Sequence, residues 1–121
     1  MPTDVLRLRN MHFFARHGLF PAENELGQRF EVDLELRLDL SRAGRSDNPS
    51  HTIDYPKAYA LVEQVVTQRQ FKLVEALAEQ IAISLGQAFA PLDLTVRVRK
   101  PHPPLAAHFD GIEVELQRSY G

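Results

Sequence analysis

Lys100 closes the alternating stretch "VRVRK" and is followed at once by Pro101, Pro103 and Pro104. It continues the parity of Val96 and Val98. On a strand it therefore points to the apolar face, where an ammonium is uncommon unless it is paired or lines a cavity. A solvated strand end is the ordinary alternative. A desolvated lysine beside Arg97 and Arg99 would suit proton transfer or Schiff-base chemistry.

Four other residues carry groups of the right type. Glu75 falls in the first turn of a helical stripe, one position after Val74. There a carboxylate either complements the helix dipole or sits at a pocket rim, ready to receive a planar pair of N–H donors. Glu23 and Glu25 lie in "PAENELGQ", a segment that reads as a loop with Gly27 just before a long strand. Two loop acids are commonplace on a surface, and either could instead hold a hydroxylated ligand. Tyr55 stands at a loop-to-helix junction, where its hydroxyl can make one packing hydrogen bond or relay a proton.

The five histidines, His12, His17, His51, His102 and His108, invite a zinc reading that fails on spacing. There is no His-x-His or His-x-x-x-His pair, and His12 and His17 fall on opposite faces of a continuous strand. Nor is there a Gly-x-Ser-x-Gly or a glycine-rich phosphate loop. No metal or cofactor is expected.

These groups must be positioned by a small set of elements. "VLRLRNMHFF" alternates and then turns aromatic, which predicts a first strand running toward His17 and Gly18. From Arg29 to Leu40 the alternation is strict. Phe30, Val32, Leu34, Leu36, Leu38 and Leu40 face one way and Glu31, Asp33, Glu35, Arg37 and Asp39 the other, predicting a strand of roughly 40 Å with one dry and one wet face. "SRAGRSDNPSHTIDY" reads as loop. After Pro56 the period becomes helical, with one stripe through Ala58, Leu61, Val62, Val65 and Val66. A second runs through Val74, Leu77, Ala78, Ile81, Ala82, Leu85 and Phe89. Asp54 and Pro56 suit the start of the first helix. Alternation returns at Leu92 to Val98 and at Ile112 to Leu116. The order is ββααββ, an α+β domain over residues 1–121 with two helices on the apolar face of an antiparallel sheet. The edges of such a sheet invite pairing with further copies of the chain.

Bulk properties narrow the function classes. At 121 residues and 44% hydrophobic content, the chain is sized for one core. With Lys+Arg at 14, Asp+Glu at 16 and a net charge of −2, no basic run offers itself to nucleic acid. Cysteine is absent, which removes disulfides and thiolate chemistry. The opening "MPTDVLRLRN" has neither a signal-peptide nor a membrane-span pattern. A cytoplasmic protein with no membrane partner is expected.

Together, "HGLFPAENELGQRFEVDLEL", "DLSRAGRSDN", "TIDY", "LVEALAEQIA", "VRVRKPHPP" and "HFDGIEVEL" resemble the dihydroneopterin aldolases of folate biosynthesis, over nearly the whole chain and in that family's order. The resemblance implies the tunnelling fold, in which ββααββ subunits join their sheets into a barrel. Four make a ring, and two rings commonly make an octamer. It implies a pterin site between subunits, with Glu75 and the main chain of Val74 on the pterin's amino edge. Tyr55 and the main chain of Ile53 would come from the neighbouring subunit, Glu23 would hold the hydroxylated side chain, and Lys100 would stand near N5. The implied catalytic groups are Lys100, Tyr55 and Glu23. The implied reaction is a retro-aldol cleavage without metal or Schiff base, with 2′-epimerisation as an accompanying activity. Phe109 and Arg99 depart from the family's pattern, at positions where a tyrosine and a smaller polar residue can stand. Alternatives on the same scaffold are an epimerase of dihydroneopterin triphosphate, which needs a basic pocket, and a pterin- or purine-binding module, which has no need of Lys100.

Overall fold

In the computed structural model, which describes residues 4–121, the strands are β1 (Val5–Ala15), β2 (Gln28–Arg37), β3 (Leu92–Lys100) and β4 (Ile112–Tyr120). Met1 to Thr3 of the opening segment lie outside the described residues. The strands form one antiparallel sheet in the order β1-β2-β3-β4. Between β2 and β3 run the long helices α3 (Tyr55–Gln68) and α4 (Val74–Phe89). Helix α4 lies over β3 and β4, and α3 packs on β1 and α4.

The two periodicities meet in one core. Phe30, Val32, Leu34 and Leu36 of β2 and Leu94, Val96 and Val98 of β3 are fully buried against Val62 and Val66 of α3 and Leu77, Ile81 and Leu85 of α4. Each such side chain contributes on the order of 1.5–3 kcal/mol of transfer free energy. Of the two predicted stripes, Leu61 and Phe89 are the members left only partly buried. Asp54 caps α3, its Oδ1 accepting from the Lys57 N–H at 3.2 Å, and Pro56 sits in the first turn. At the sheet edge, Tyr120 lies flat on Gly86 of α4, where a Cβ would stand 2.5 Å from its ring.

The structure differs from the sequence pattern in three places. Strand β2 ends at Arg37, not Leu40, because its neighbours run out there: Arg37 pairs with Val5 and Asp93 at the starts of β1 and β3. Beyond it the Leu38 N–H turns to the Asp4 carbonyl and the Leu40 N–H to the Asp4 carboxylate. The loop-like "SRAGRSDNPSH" contains helix α2 (Ser41–Ser46) and a 3₁₀ turn over Pro49–His51. Asp39 and Asn48 accept the N–H groups of Ser41 and Ser50 that start these turns. Finally, "PAENEL" is helix α1 (Pro21–Leu26), not loop: Pro21 presets its first turn, and the Gly27 N–H closes it on the Glu23 carbonyl at 3.0 Å.

On the wet face of the sheet, Arg97 bridges Glu35 at 2.8 Å and Glu115 at 2.6 Å. Arg99 bridges Asp33 at 2.6 Å and Glu113 at 3.0 Å. Both arginines are thus committed to cross-strand carboxylates on the side away from Lys100. The expectation of a lysine beside Arg97 and Arg99 is corrected by strand parity, which turns their side chains to the other face.

Candidate active site

Lys100 is the last residue of β3, paired with Ile112 of β4, and its inward parity holds: it is 8% exposed. Its Nζ donates to Oε2 of Glu23 at 2.7 Å. Glu23, 4% exposed, occupies the first turn of α1, where its Oε1 also accepts the Phe20 N–H at 3.3 Å. Gln28, the first residue of β2, donates from Nε2 to Glu23 Oε2 at 2.6 Å. Burial pushes the Glu23 carboxyl up. The hydrogen bonds from Lys100, Gln28 and the Phe20 N–H outweigh it and hold the pKa below the ordinary value. The carboxylate is therefore ionised at neutral pH.

Both halves of this pair rest against glycine. At Gly18, φ is +146° and a Cβ would stand 2.3 Å from the Glu23 carboxyl carbon. At Gly111, φ is +97° and a Cβ would stand 2.3 Å from the Lys100 carbonyl oxygen. Only a residue without a side chain lets the turn lie under Glu23, and the returning loop lie on the end of β3.

The pair opens into a cavity of about 390 Å³. One wall is the start of α4, with Leu73, Val74 and Glu75; another is the loop after β3, with Pro103, Pro104, Leu105 and Phe109. Glu75 is exposed at the rim, the second residue of α4. The walls are mainly apolar, with two carboxylates and two lysines, Lys72 and Lys100, converging on them. A larger groove of about 480 Å³ between α3 and α4 has Arg69 as its one ionisable lining group and offers no acid–base pair.

The structure thus gathers Glu23, Val74, Glu75 and Lys100 around one space. Ile53 is half-buried and Tyr55, the first residue of α3, is 61% exposed; neither lines the cavity within one chain. Glu25 is exposed and lies outside the lining. Among the described residues, no group of three or more His, Asp or Glu is placed to hold a metal ion. Sequence reasoning missed Gln28 and Gly18. Gln28 looks like one more polar residue on the alternating strand, and Gly18 shows its role only once Glu23 is folded over it.

The family model of the dihydroneopterin aldolases matches residues 6–117, a span that includes every group around the cavity. The chain belongs to the dihydroneopterin aldolase family. Members of the dihydroneopterin aldolase family are lyases. The dihydroneopterin aldolase of Bacillus subtilis is 42% identical over 116 residues, covering 95% of this chain and 97% of the relative. That of Staphylococcus epidermidis is 38% identical, covering 96% of this chain and 97% of the relative. Among solved structures, the Escherichia coli dihydroneopterin aldolase in complex with neopterin shares the fold, with a TM-score of 0.87 at 24% identity over 97% of this chain and 100% of that one. A Burkholderia dihydroneopterin aldolase bound to guanine matches with a TM-score of 0.75 at 26% identity, over 98% of this chain and 92% of that one.

Proposed function

We propose that the cavity binds the pterin ring of 7,8-dihydroneopterin and that the chain cleaves it to 6-hydroxymethyl-7,8-dihydropterin and glycolaldehyde in tetrahydrofolate biosynthesis. The observation that carries this is the buried Glu23–Lys100 pair, 2.7 Å apart, which lines one mainly apolar space together with Glu75. Neopterin and guanine, bound by the two structural relatives, share a 2-amino-oxo-pyrimidine edge. A carboxylate such as Glu75 accepts the amino and ring N–H donors of that edge as a pair, with the main chain of Val74 beside it.

The substrate brings its own electron sink. Its N5=C6 bond is an imine next to the side chain, so neither a Schiff base nor a metal is needed to accept the electron pair. Loss of the 2′-hydroxyl proton turns C2′ into the aldehyde carbon as the C1′–C2′ bond breaks. The bonding pair becomes a C6=C1′ double bond as the N5=C6 π pair moves onto N5, giving an enamine. Protonation at C1′ then restores the imine and leaves the hydroxymethyl group. The ionised Glu23 is suited to hold the side-chain hydroxyls, and the Lys100 amine to steady charge at N5. Lys100, Glu23, Tyr55 and bound water are the groups that exchange protons.

The proposal includes self-assembly. Tyr55 and Ile53 lie outside the cavity of their own chain and would complete the site of a neighbour. Strands β1 and β4 leave both sheet edges unpaired within the described residues. Rings of four, stacked in pairs as an octamer, would use both edges. Residues 1–121 act as one catalytic unit, in the cytoplasm; no helix among the described residues is long and apolar enough to cross a membrane. An epimerase acting on a triphosphate is less well supported, since Lys72 is the one cation that joins Lys100 in the lining.

The test is incubation with 7,8-dihydroneopterin in the presence of chelator, with products separated by chromatography. Release of 6-hydroxymethyl-7,8-dihydropterin with glycolaldehyde is expected. Binding without cleavage would overturn the lyase assignment and favour a binding module.

A further inference from the structure

His17 is completely buried and is not itself a lining residue of the cavity, although the Lys100 charge is near enough to act on it. Its Nδ1 accepts the Phe71 N–H at 3.0 Å, so the ring proton is on Nε2, which donates to the Val66 carbonyl at 2.7 Å. Val66 lies in the last turn of α3, where carbonyls lack helical partners, and His17 satisfies this one. The next residue adds a third bond, from the Gly18 N–H to the Phe71 carbonyl at 3.0 Å. Phe71 therefore has both backbone groups held by residues 17 and 18. The imidazole itself is held edge-on to Phe30, with centroids 5.2 Å apart, and against Phe71 at 5.6 Å.

The two segments joined in this way lead directly to two parts of the cavity lining. Phe71 is followed by Lys72, Leu73, Val74 and Glu75, all of which line the cavity. Gly18 lies beneath the Glu23 carboxylate, and its carbonyl accepts from Asn24 Nδ2 at 3.1 Å in the helix that carries Glu23.

We propose that His17 is a positioning residue that sets the spacing between the Glu23–Lys100 wall and the Val74–Glu75 wall, and so tunes pterin binding without touching the ligand. This rests on the pterin reading of the cavity. The bond accepted at Nδ1 requires the neutral ring, and the bond to Val66 then fixes its proton on Nε2. Burial, the largest influence, holds the His17 pKa below the ordinary 6.5 and keeps that form at neutral pH.

The test compares His17→Phe, which keeps the ring volume and loses both bonds, with His17→Gln, whose amide offers one acceptor and one donor. Neopterin affinity is measured by fluorescence titration on folded protein, alongside kcat and KM for 7,8-dihydroneopterin. His17→Phe is expected to raise Kd and KM about tenfold or more, and His17→Gln to stay within about threefold of the parent. A purely structural role would lower the melting temperature and leave the affinity of the folded fraction unchanged. That result for His17→Phe would overturn the proposal, as would equal weakening in both variants. Should His17→Phe fail to fold, the Gln variant decides: tenfold weaker binding by folded His17→Gln would also overturn it. If the parent protein binds neopterin but leaves the substrate intact, the lyase assignment falls while the affinity comparison still tests His17.

Discussion

Lys100 Nζ and Glu23 Oε2 lie 2.7 Å apart although 77 residues separate them in the chain. Lys100→Ala removes the ammonium and leaves a nearly buried carboxylate with Gln28 and one N–H as its remaining donors. Turnover of 7,8-dihydroneopterin is expected to fall about 10²-fold or more, with pterin affinity largely kept. Stability is expected to fall by about 1–3 kcal/mol, the scale for a buried charge losing a partner. Steady-state kinetics and denaturant titration read the two effects separately, and undiminished turnover would remove Lys100 from the chemistry.

Glu75 is exposed and at the second position of α4, so its truncation should leave the fold almost untouched. Loss of a charge-assisted pair to the pterin edge is expected to weaken binding about 10- to 100-fold in Glu75→Ala. A fluorescence titration with neopterin checks this, and an unchanged Kd would place the ring elsewhere.

Acid should destabilise the protein in two limbs. His17 has a folded pKa below 6.5, so the unfolded chain takes up the proton first. The stability from keeping that ring neutral is whole above about pH 6.5 and declines as pH falls through the folded value. Glu23 lies below the ordinary carboxyl value of 4.5, so its contribution is whole above that pH and is lost as pH falls through its folded pKa. Circular dichroism of denaturant unfolding across this range should show both limbs. In Glu23→Gln the lower limb should become shallower, the Asp33 and Glu35 carboxyls held low by Arg99 and Arg97 supplying the rest of it, while the upper one persists.

Two glycine substitutions should move in opposite directions. Gly18→Ala drives a Cβ into the Glu23 carboxylate at a positive φ, and is expected to cost activity about tenfold or more together with more than about 1 kcal/mol of stability. Gly44 lies in α2 with open space on its outer side, nothing standing within 4 Å of where a methyl group would go. Gly44→Ala is therefore expected to stabilise by about 0.4–1 kcal/mol and leave kcat unchanged. Thermal melts and turnover of the two variants side by side test both statements.

A site shared between subunits makes a further prediction. Tyr55→Ala and Lys100→Ala proteins, each poorly active, should regain activity when unfolded and refolded together, because about one quarter of the mixed sites then combine an intact Tyr55 with an intact Lys100. If each site drew both residues from one chain, co-refolding would recover nothing beyond the average of the two variants.

Much of this was legible in the amino-acid order because side-chain direction follows from local backbone geometry. A period of two marked β2 and β3 and turned Lys100 inward with Val96 and Val98. A period near 3.6 marked the buried faces of α3 and α4 and put Glu75 in a first turn. Spacing already separated His12, exposed in the structure, from His17, buried on the opposite side. Helices α1 and α2 escaped because six residues are too few for a periodic signal; their starts depend on single contacts such as the Phe20 N–H to Glu23 and the Ser41 N–H to Asp39.

What only the tertiary structure decided is which charge meets which. Parity sends Arg97 and Arg99 to the wet face, but it took the sheet register to seat them on Glu35, Asp33 and their neighbours. Glu23 reaches Lys100 because β1, β2 and β3 are adjacent, the turn at Gly18 folds beneath the carboxylate, and α1 holds it there. Alternation and helical stripes are properties of a few consecutive bonds, and can be read wherever those bonds are written. An ion pair across 77 residues is a property of the packed whole, set by register, by a glycine without a side chain, and by the Gln28 amide that shares the carboxylate.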